Sequence, residues 1–109
     1  MATTYKVLGQ VCPSATTPTT LYTVPSSTST VVSTITVANL GGTSATYRIS
    51  VRPAAAAQTN AMYVAYDVTV AATDTTTLTL GITLATTDVI TVYASSATVA
   101  FNAYGSEIA

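Results

Sequence analysis

The side chains able to do acid–base or nucleophilic chemistry are few. The carboxylates are Asp67, Asp74, Asp88 and Glu107, the cations are Lys6, Arg48 and Arg52, the single thiol is Cys12, and histidine is absent. Without histidine the chain lacks the commonest general base, the Ser-His-Asp and Cys-His arrangements, and the usual zinc ligands. Asp74 and Asp88 stand in Ala-Thr-Asp-Thr and Thr-Thr-Asp-Val contexts, where an aspartate bonds its own backbone in a turn. That reading outweighs a glycosidase pair. Calcium requires about 6–8 oxygen ligands, and no Asp-x-Asp-x-Asp cluster supplies them. No Gly-x-Gly-x-x-Gly or P-loop spacing occurs. Cys12 precedes Pro13, has no cysteine or histidine partner, and reads as an inert thiol. The expectation is a chain with no catalytic site, no cofactor and no metal, which is not an enzyme.

The remaining polar chemistry concerns contact rather than turnover. Arg48 and Arg52 stand four residues apart, on one face of a strand, and Asp67 stands on the outward face of another. A solvated cross-strand ion pair is the plainer reading, and a contact to a partner subunit is the functional one. Tyrosine is favoured at interfaces because it brings area with a polar tip. Among seven tyrosines, Tyr47 and Tyr66 read as core, Tyr22, Tyr63 and Tyr93 stay open, and an exposed Tyr63 beside Ala65 would be an interface candidate. The interface candidates are therefore Arg48, Arg52, Tyr63 and Asp67.

These groups sit on a surface with little charge. Only 6% of the 109 residues are charged, against roughly 25% in typical soluble domains. Three cations cannot form the basic footprint that neutralises phosphates, which excludes nucleic-acid binding. Threonine and serine must cover the surface instead, and threonine, being β-branched, favours pleated strands. A net charge of −1 gives little self-repulsion, so association with other subunits is expected. The apolar fraction of 49% is enough for one core, and the length suits a single domain spanning residues 1–109. No apolar run approaches the roughly 20 residues of a membrane helix, so no membrane partner is expected. The opening Met1-Ala2-Thr3-Thr4-Tyr5-Lys6 lacks a basic stretch leading into an apolar run. Together with the absence of disulfides, this points to a soluble chain folding in a reducing cytoplasm.

Period-2 alternation predicts strands over residues 5–10, 20–24, 30–39, 45–52, 61–70, 75–80, 89–95 and 97–103. The Leu40-Gly41-Gly42-Thr43-Ser44 segment predicts a hairpin joining the third and fourth strands. Alternation places Tyr47, Ile49 and Val51 inward and Thr46, Arg48, Ser50 and Arg52 outward. In the fifth strand it places Met62, Val64, Tyr66, Val68 and Val70 on the apolar face, and in the sixth Thr76, Leu78 and Leu80. Ala54 to Asn60 reads as a loop with a turn, Gly81 as the end of a strand, and residues 104–109 as a tail. Eight short strands with regular turns read as an all-β antiparallel sandwich, jelly-roll or immunoglobulin-like. The expected core is Ile35, Val37, Tyr47, Ile49, Val51, Val64, Tyr66, Val68, Leu78, Val99 and Phe101.

The wording of several segments adds a resemblance. Tyr5-Lys6-Val7-Leu8-Gly9-Gln10, Leu21-Tyr22-Thr23-Val24-Pro25, Val32-Ser33-Thr34-Ile35 and Tyr47-Arg48-Ile49-Ser50-Val51-Arg52-Pro53 resemble small virion proteins of tailed bacteriophages, including cyanophages. The run 78–94 and Phe101-Asn102-Ala103-Tyr104-Gly105 extend the resemblance over nearly the whole chain. It implies a virion location after synthesis in the host cytoplasm, and other virion proteins as partners. Two jobs compete: a capsid decoration, or cement, protein, and a neck, baseplate or tail-fibre component that attaches to the host. The absence of a stalk or heptad segment favours decoration. The local symmetry of capsids and the resemblance imply a homo-oligomer, a trimer. From another class, a carbohydrate-binding or adhesive module would need exposed aromatics in a groove, and the chain has no Trp and one Phe.

Overall fold

The computed structural model describes residues 2–109. Eight strands follow in order: β1 (Thr3–Val11), β2 (Thr19–Thr23), β3 (Ser29–Asn39), β4 (Ala45–Arg52), β5 (Tyr63–Val70), β6 (Thr75–Leu84), β7 (Val89–Ala94) and β8 (Val99–Ile108). Two single 3₁₀ turns, Pro53–Ala55 and Asn60–Met62, lie between β4 and β5. The strands form two four-stranded sheets, β1-β8-β3-β6 and β2-β7-β4-β5, with every neighbouring pair antiparallel. This interleaved order makes the fold a jelly-roll β-sandwich.

The order overturns one local expectation. β3 pairs with β6 and β8, while β4 pairs with β5 and β7, so the segment between β3 and β4 is an arch from sheet to sheet, not a hairpin. Asn39 decides this. Its buried side-chain amide donates to the carbonyls of Thr43 (2.7 Å) and Val70 (3.3 Å), and its oxygen accepts from the Gly41 amide (3.0 Å) and the Thr98 hydroxyl (3.0 Å). Those bonds tie the arch to β5 in the opposite sheet and to the start of β8 in its own.

Between the sheets, Ile35, Val37, Tyr47, Ile49, Val99 and Phe101 are buried, joined by Val32, Ile90 and Val92. The Tyr47 and Phe101 rings meet edge to face across the sandwich, 6.1 Å apart at 75°, the arrangement aromatic quadrupoles favour. Val51 and Leu78 are half-buried at the margin.

Val64, Tyr66 and Val68 are not core: they are 47%, 55% and 39% exposed. For Val64 and Tyr66 the cause is two irregularities in the β4–β5 ladder; Val68, opposite Tyr47, keeps its inward parity and is exposed because β5 is the edge strand of its sheet. Tyr47 pairs with Val68, Ile49 with Ala65 and Ser50 with Tyr63, so Arg48 faces two residues, Tyr66 and Asp67, and Val64 faces none: one extra residue at each irregularity. Asp67 adopts φ +50°, a conformation aspartate tolerates better than most residues. A one-residue slip exchanges the faces of a strand, so Ala65 takes the core position and Tyr66 turns outward. The same device operates at Gly81 (φ +61°), which bulges β6 without ending it. Ile82 to Leu84 continue the strand, and Leu80, left without a partner on β3, is 42% exposed.

The expected tail is also strand. Residues 104–108 run between β1 and β3, in the middle of their sheet. Ser33 is an extra residue opposite Gly105 and Tyr104. A Cβ at Gly105 would collide with the Val31 carbonyl, so only glycine lets the strands approach there. The outer face of this sheet is paved with hydroxyls: Thr34 lies opposite Thr79, and Thr36 opposite Thr77. This is how a surface with few charges stays hydrated.

Candidate functional site: an arginine–tyrosine cleft

The outer face of the β2-β7-β4-β5 sheet gathers all four interface candidates. On β4, Tyr47 and Ile49 point into the core, so strand alternation sends Arg48, Ser50 and Arg52 outward. On β7 the inward Val92 sends Tyr93 outward, beside its Arg48 partner in the ladder. The slips in β5 bring Tyr63, Tyr66 and Asp67 to the same side.

Arg48 is the hub. Its Nε donates to Asp67 Oδ1 at 2.6 Å and its Nη2 to Oδ2 at 3.3 Å. Its guanidinium carbon lies 4.3 Å from the Tyr66 ring centre and 4.4 Å from that of Tyr93, so the cation is held between two aromatic faces. Tyr63 meets Tyr66 edge to face at 4.8 Å. The hydrogen bond from Arg48 holds the Asp67 carboxyl below its ordinary range, and the same bond raises the Arg48 guanidinium. The sequence placed Arg48 and Asp67 correctly as a cross-strand pair. It missed Tyr66, whose outward turn depends on the bulge, and Gln58 and Asn60 in the loop.

Arg52 has a different task. Its Nε donates to the Ala56 carbonyl (2.7 Å), Nη2 to the Ala55 carbonyl (3.2 Å) and Nη1 to the Thr91 hydroxyl (3.3 Å). Ala54 and Ala55 have φ of 53° and 57°, which costs a residue bearing a Cβ. Two contacts hold them there: Arg52 on the carbonyl side, and Asp88 Oδ1, which accepts from the Ala54 amide at 2.8 Å. The other oxygen of Asp88 accepts from the Ala85 amide, and Asp74 accepts from the next residue, Thr75. Behind the loop, the buried Ser50 hydroxyl donates to Gln58 Oε1 at 2.6 Å. The loop thus forms a fixed wall beside the tyrosines. The cleft between them has a volume of about 140 Å³, and Tyr63 also lines an adjoining open depression of about 330 Å³ bounded by Asn60 and Tyr66.

A second polar cluster joins β2 of one sheet to β3 and β8 of the other. The buried Tyr22 hydroxyl donates to Glu107 Oε2 at 2.6 Å and lies 2.7 Å from the Thr30 hydroxyl. Its one proton goes to the carboxylate, so Thr30 donates to it. Lys6 reaches Glu107 Oε1 at 3.3 Å. Burial, reinforced by Glu107, pushes the Tyr22 phenol up to about 12, and the Tyr22 hydrogen bond lowers the Glu107 carboxyl. The signs follow from linkage. Glu107 and Asp67, depressed in the folded state, contribute stability above the ordinary carboxylate range that is lost as pH falls through their folded values. Tyr22, raised, contributes stability below pH 10 that is lost as pH rises towards 12. Thermal melting should therefore fall at both extremes. Glu107→Gln should flatten the acid limb, and an acid limb of unchanged slope in that variant would contradict the clamp.

Among the described residues, no three of His, Cys, Asp and Glu gather as a metal site, and no helix is long and apolar enough to cross a membrane. Cys12 is exposed, with Sγ 3.4 Å from the Ala97 carbonyl. The fold and cleft define a class: an antiparallel jelly-roll sandwich carrying a preorganised arginine–tyrosine face. Compared with protein-family models, curated proteins and solved structures, the chain matches none.

Proposed function

We propose that this chain is a non-enzymatic structural protein of a phage particle, a decoration protein that binds the outside of the head and stabilises it as a homo-oligomer, a trimer. The observation that carries this reading is the pair of apolar edges on a sandwich with few charges. At one side, β5 presents Val64 and Val68, and the β6 edge adds Leu80. At the other, the β1 edge presents Tyr5, which is 85% exposed, and Val7. Edge strands offer unpaired backbone groups and are normally blunted by charge or proline. Here Lys6 is the only charged residue of β1, and β6 carries none. Exposed apolar patches of this kind mark association surfaces. Repeating one weak contact around a symmetric oligomer raises attachment by roughly 10²–10⁴ over a single site.

The test is deletion from the particle. Particles lacking the protein should release DNA at lower temperature or under milder osmotic shock, with adsorption to host cells unchanged. Equally stable heads with adsorption abolished would move the protein to the neck, baseplate or tail fibre. A strictly monomeric protein missing from purified particles would remove both assignments.

A further inference from the structure

The geometry points to a second property, independent of the virion assignment: the cleft on the outer face of the β2-β7-β4-β5 sheet is a binding site for a carboxylated saccharide of a cell-surface polysaccharide. Charge is the first argument. Lys6 is paired with Glu107 and Arg48 with Asp67, whereas Arg52 forms no ion pair among the described residues. A guanidinium has about five N–H donors. Arg52 spends three of them on neutral acceptors, which leaves one N–H on each terminal nitrogen. A planar carboxylate is the partner that such a pair of donors recognises best.

The walls supply the rest of the recognition. Tyr63 and Tyr93 bound the smaller part of the cleft with Gln58 and Thr91, and Tyr63, Tyr66 and Asn60 bound the open part. Rings with amphipathic edges suit the apolar C–H face of a sugar, and amide and hydroxyl groups suit its hydroxyls. The two parts adjoin at Tyr63, an arrangement suited to neighbouring residues of a chain. Tyr63 is braced by Tyr66, Tyr66 and Tyr93 by Arg48, and the loop wall by Arg52 and Asp88. A site whose parts are already held loses little entropy on binding. The left-handed Ala54 and Ala55 fit this account, because strain held in place by surrounding contacts gathers where a surface must keep one shape.

The experiment is a titration of the ¹⁵N-labelled protein with trigalacturonic acid, with maltotriose as the neutral counterpart. Amide shifts should be confined to residues 48–66 and 91–93, and the acidic trimer should bind about tenfold tighter. Added salt should narrow that gap. Arg52→Gln should bring the acidic trimer down to the affinity of the neutral one. Because Arg52 also anchors residues 55 and 56, Tyr63→Leu provides a second variant that leaves this anchor alone; it should weaken both sugars several-fold. Equal affinity for maltotriose, full displacement by equimolar inorganic phosphate, tighter binding of a peptide C-terminal carboxylate, or no shifts at millimolar sugar would each overturn the assignment.

Discussion

Replacing Ile49 by aspartate will abolish the cooperative fold. Ile49 is fully buried in β4, an inner strand of its sheet, with Val92 on one side and Ala65 on the other. Its neighbours are the apolar inner faces of both sheets, and the nearest cations, Arg48 and Arg52, point to the opposite side. A carboxylate there has no partner, and an isolated buried charge costs more than the roughly 5–15 kcal/mol that holds a whole domain together. Ile49→Ala provides the scale: it leaves a cavity and should cost about 2–5 kcal/mol, lowering the melting temperature while keeping a cooperative transition. Circular dichroism during heating distinguishes the two. A soluble Ile49→Asp variant with an intact cooperative transition would refute the placement of β4 in the core.

Asn39→Ala should be nearly as damaging as a large core truncation, although it removes only a small polar side chain. All four hydrogen-bonding positions of the Asn39 amide are used. Truncation leaves the buried Val70 carbonyl and the Gly41 amide without their partner, and unsatisfied buried groups cost more than the net worth of the bonds. The expected loss is about 3 kcal/mol, or roughly 10–20 °C in melting temperature. Asn39→Asp is a sharper control, because it keeps the acceptor but turns a carboxylate oxygen towards the two carbonyls that the amide now serves. It should melt lower than Asn39→Ala at neutral pH and recover part of the difference in acid. Equal melting of wild type and Asn39→Ala would show that the arch is held by other contacts.

These two residues mark the boundary between local and tertiary information. Ile49 was legible in the sequence, because the alternation Tyr47, Ile49, Val51 against Arg48, Ser50, Arg52 has only one buried face. The same period-2 logic placed Ile35, Val37, Val99 and Phe101 in the core, and the Arg48–Asp67 pair outside it. The role of Asn39 was hidden, since asparagine before Leu-Gly-Gly reads as hairpin chemistry. Its partners, at Val70 and Thr98, are far along the chain.

Composition and alternation alone determined an all-β sandwich with few charges and the inward face of its regular strands, because a side chain's face depends only on its parity within an unbroken strand. Tertiary structure decided the rest. Single extra residues at Val64, Asp67 and Ser33 reset that parity, turning Tyr66 from expected core into a wall of the cleft. Pairing with β1 and β3 made strand of the expected tail. The jelly-roll order followed from which edges met across the sandwich, and the cleft from loop residues 54–60 held against β7 and Asp88. A bulge or an arch is stabilised by contacts with distant segments, and no local period in the chain encodes those.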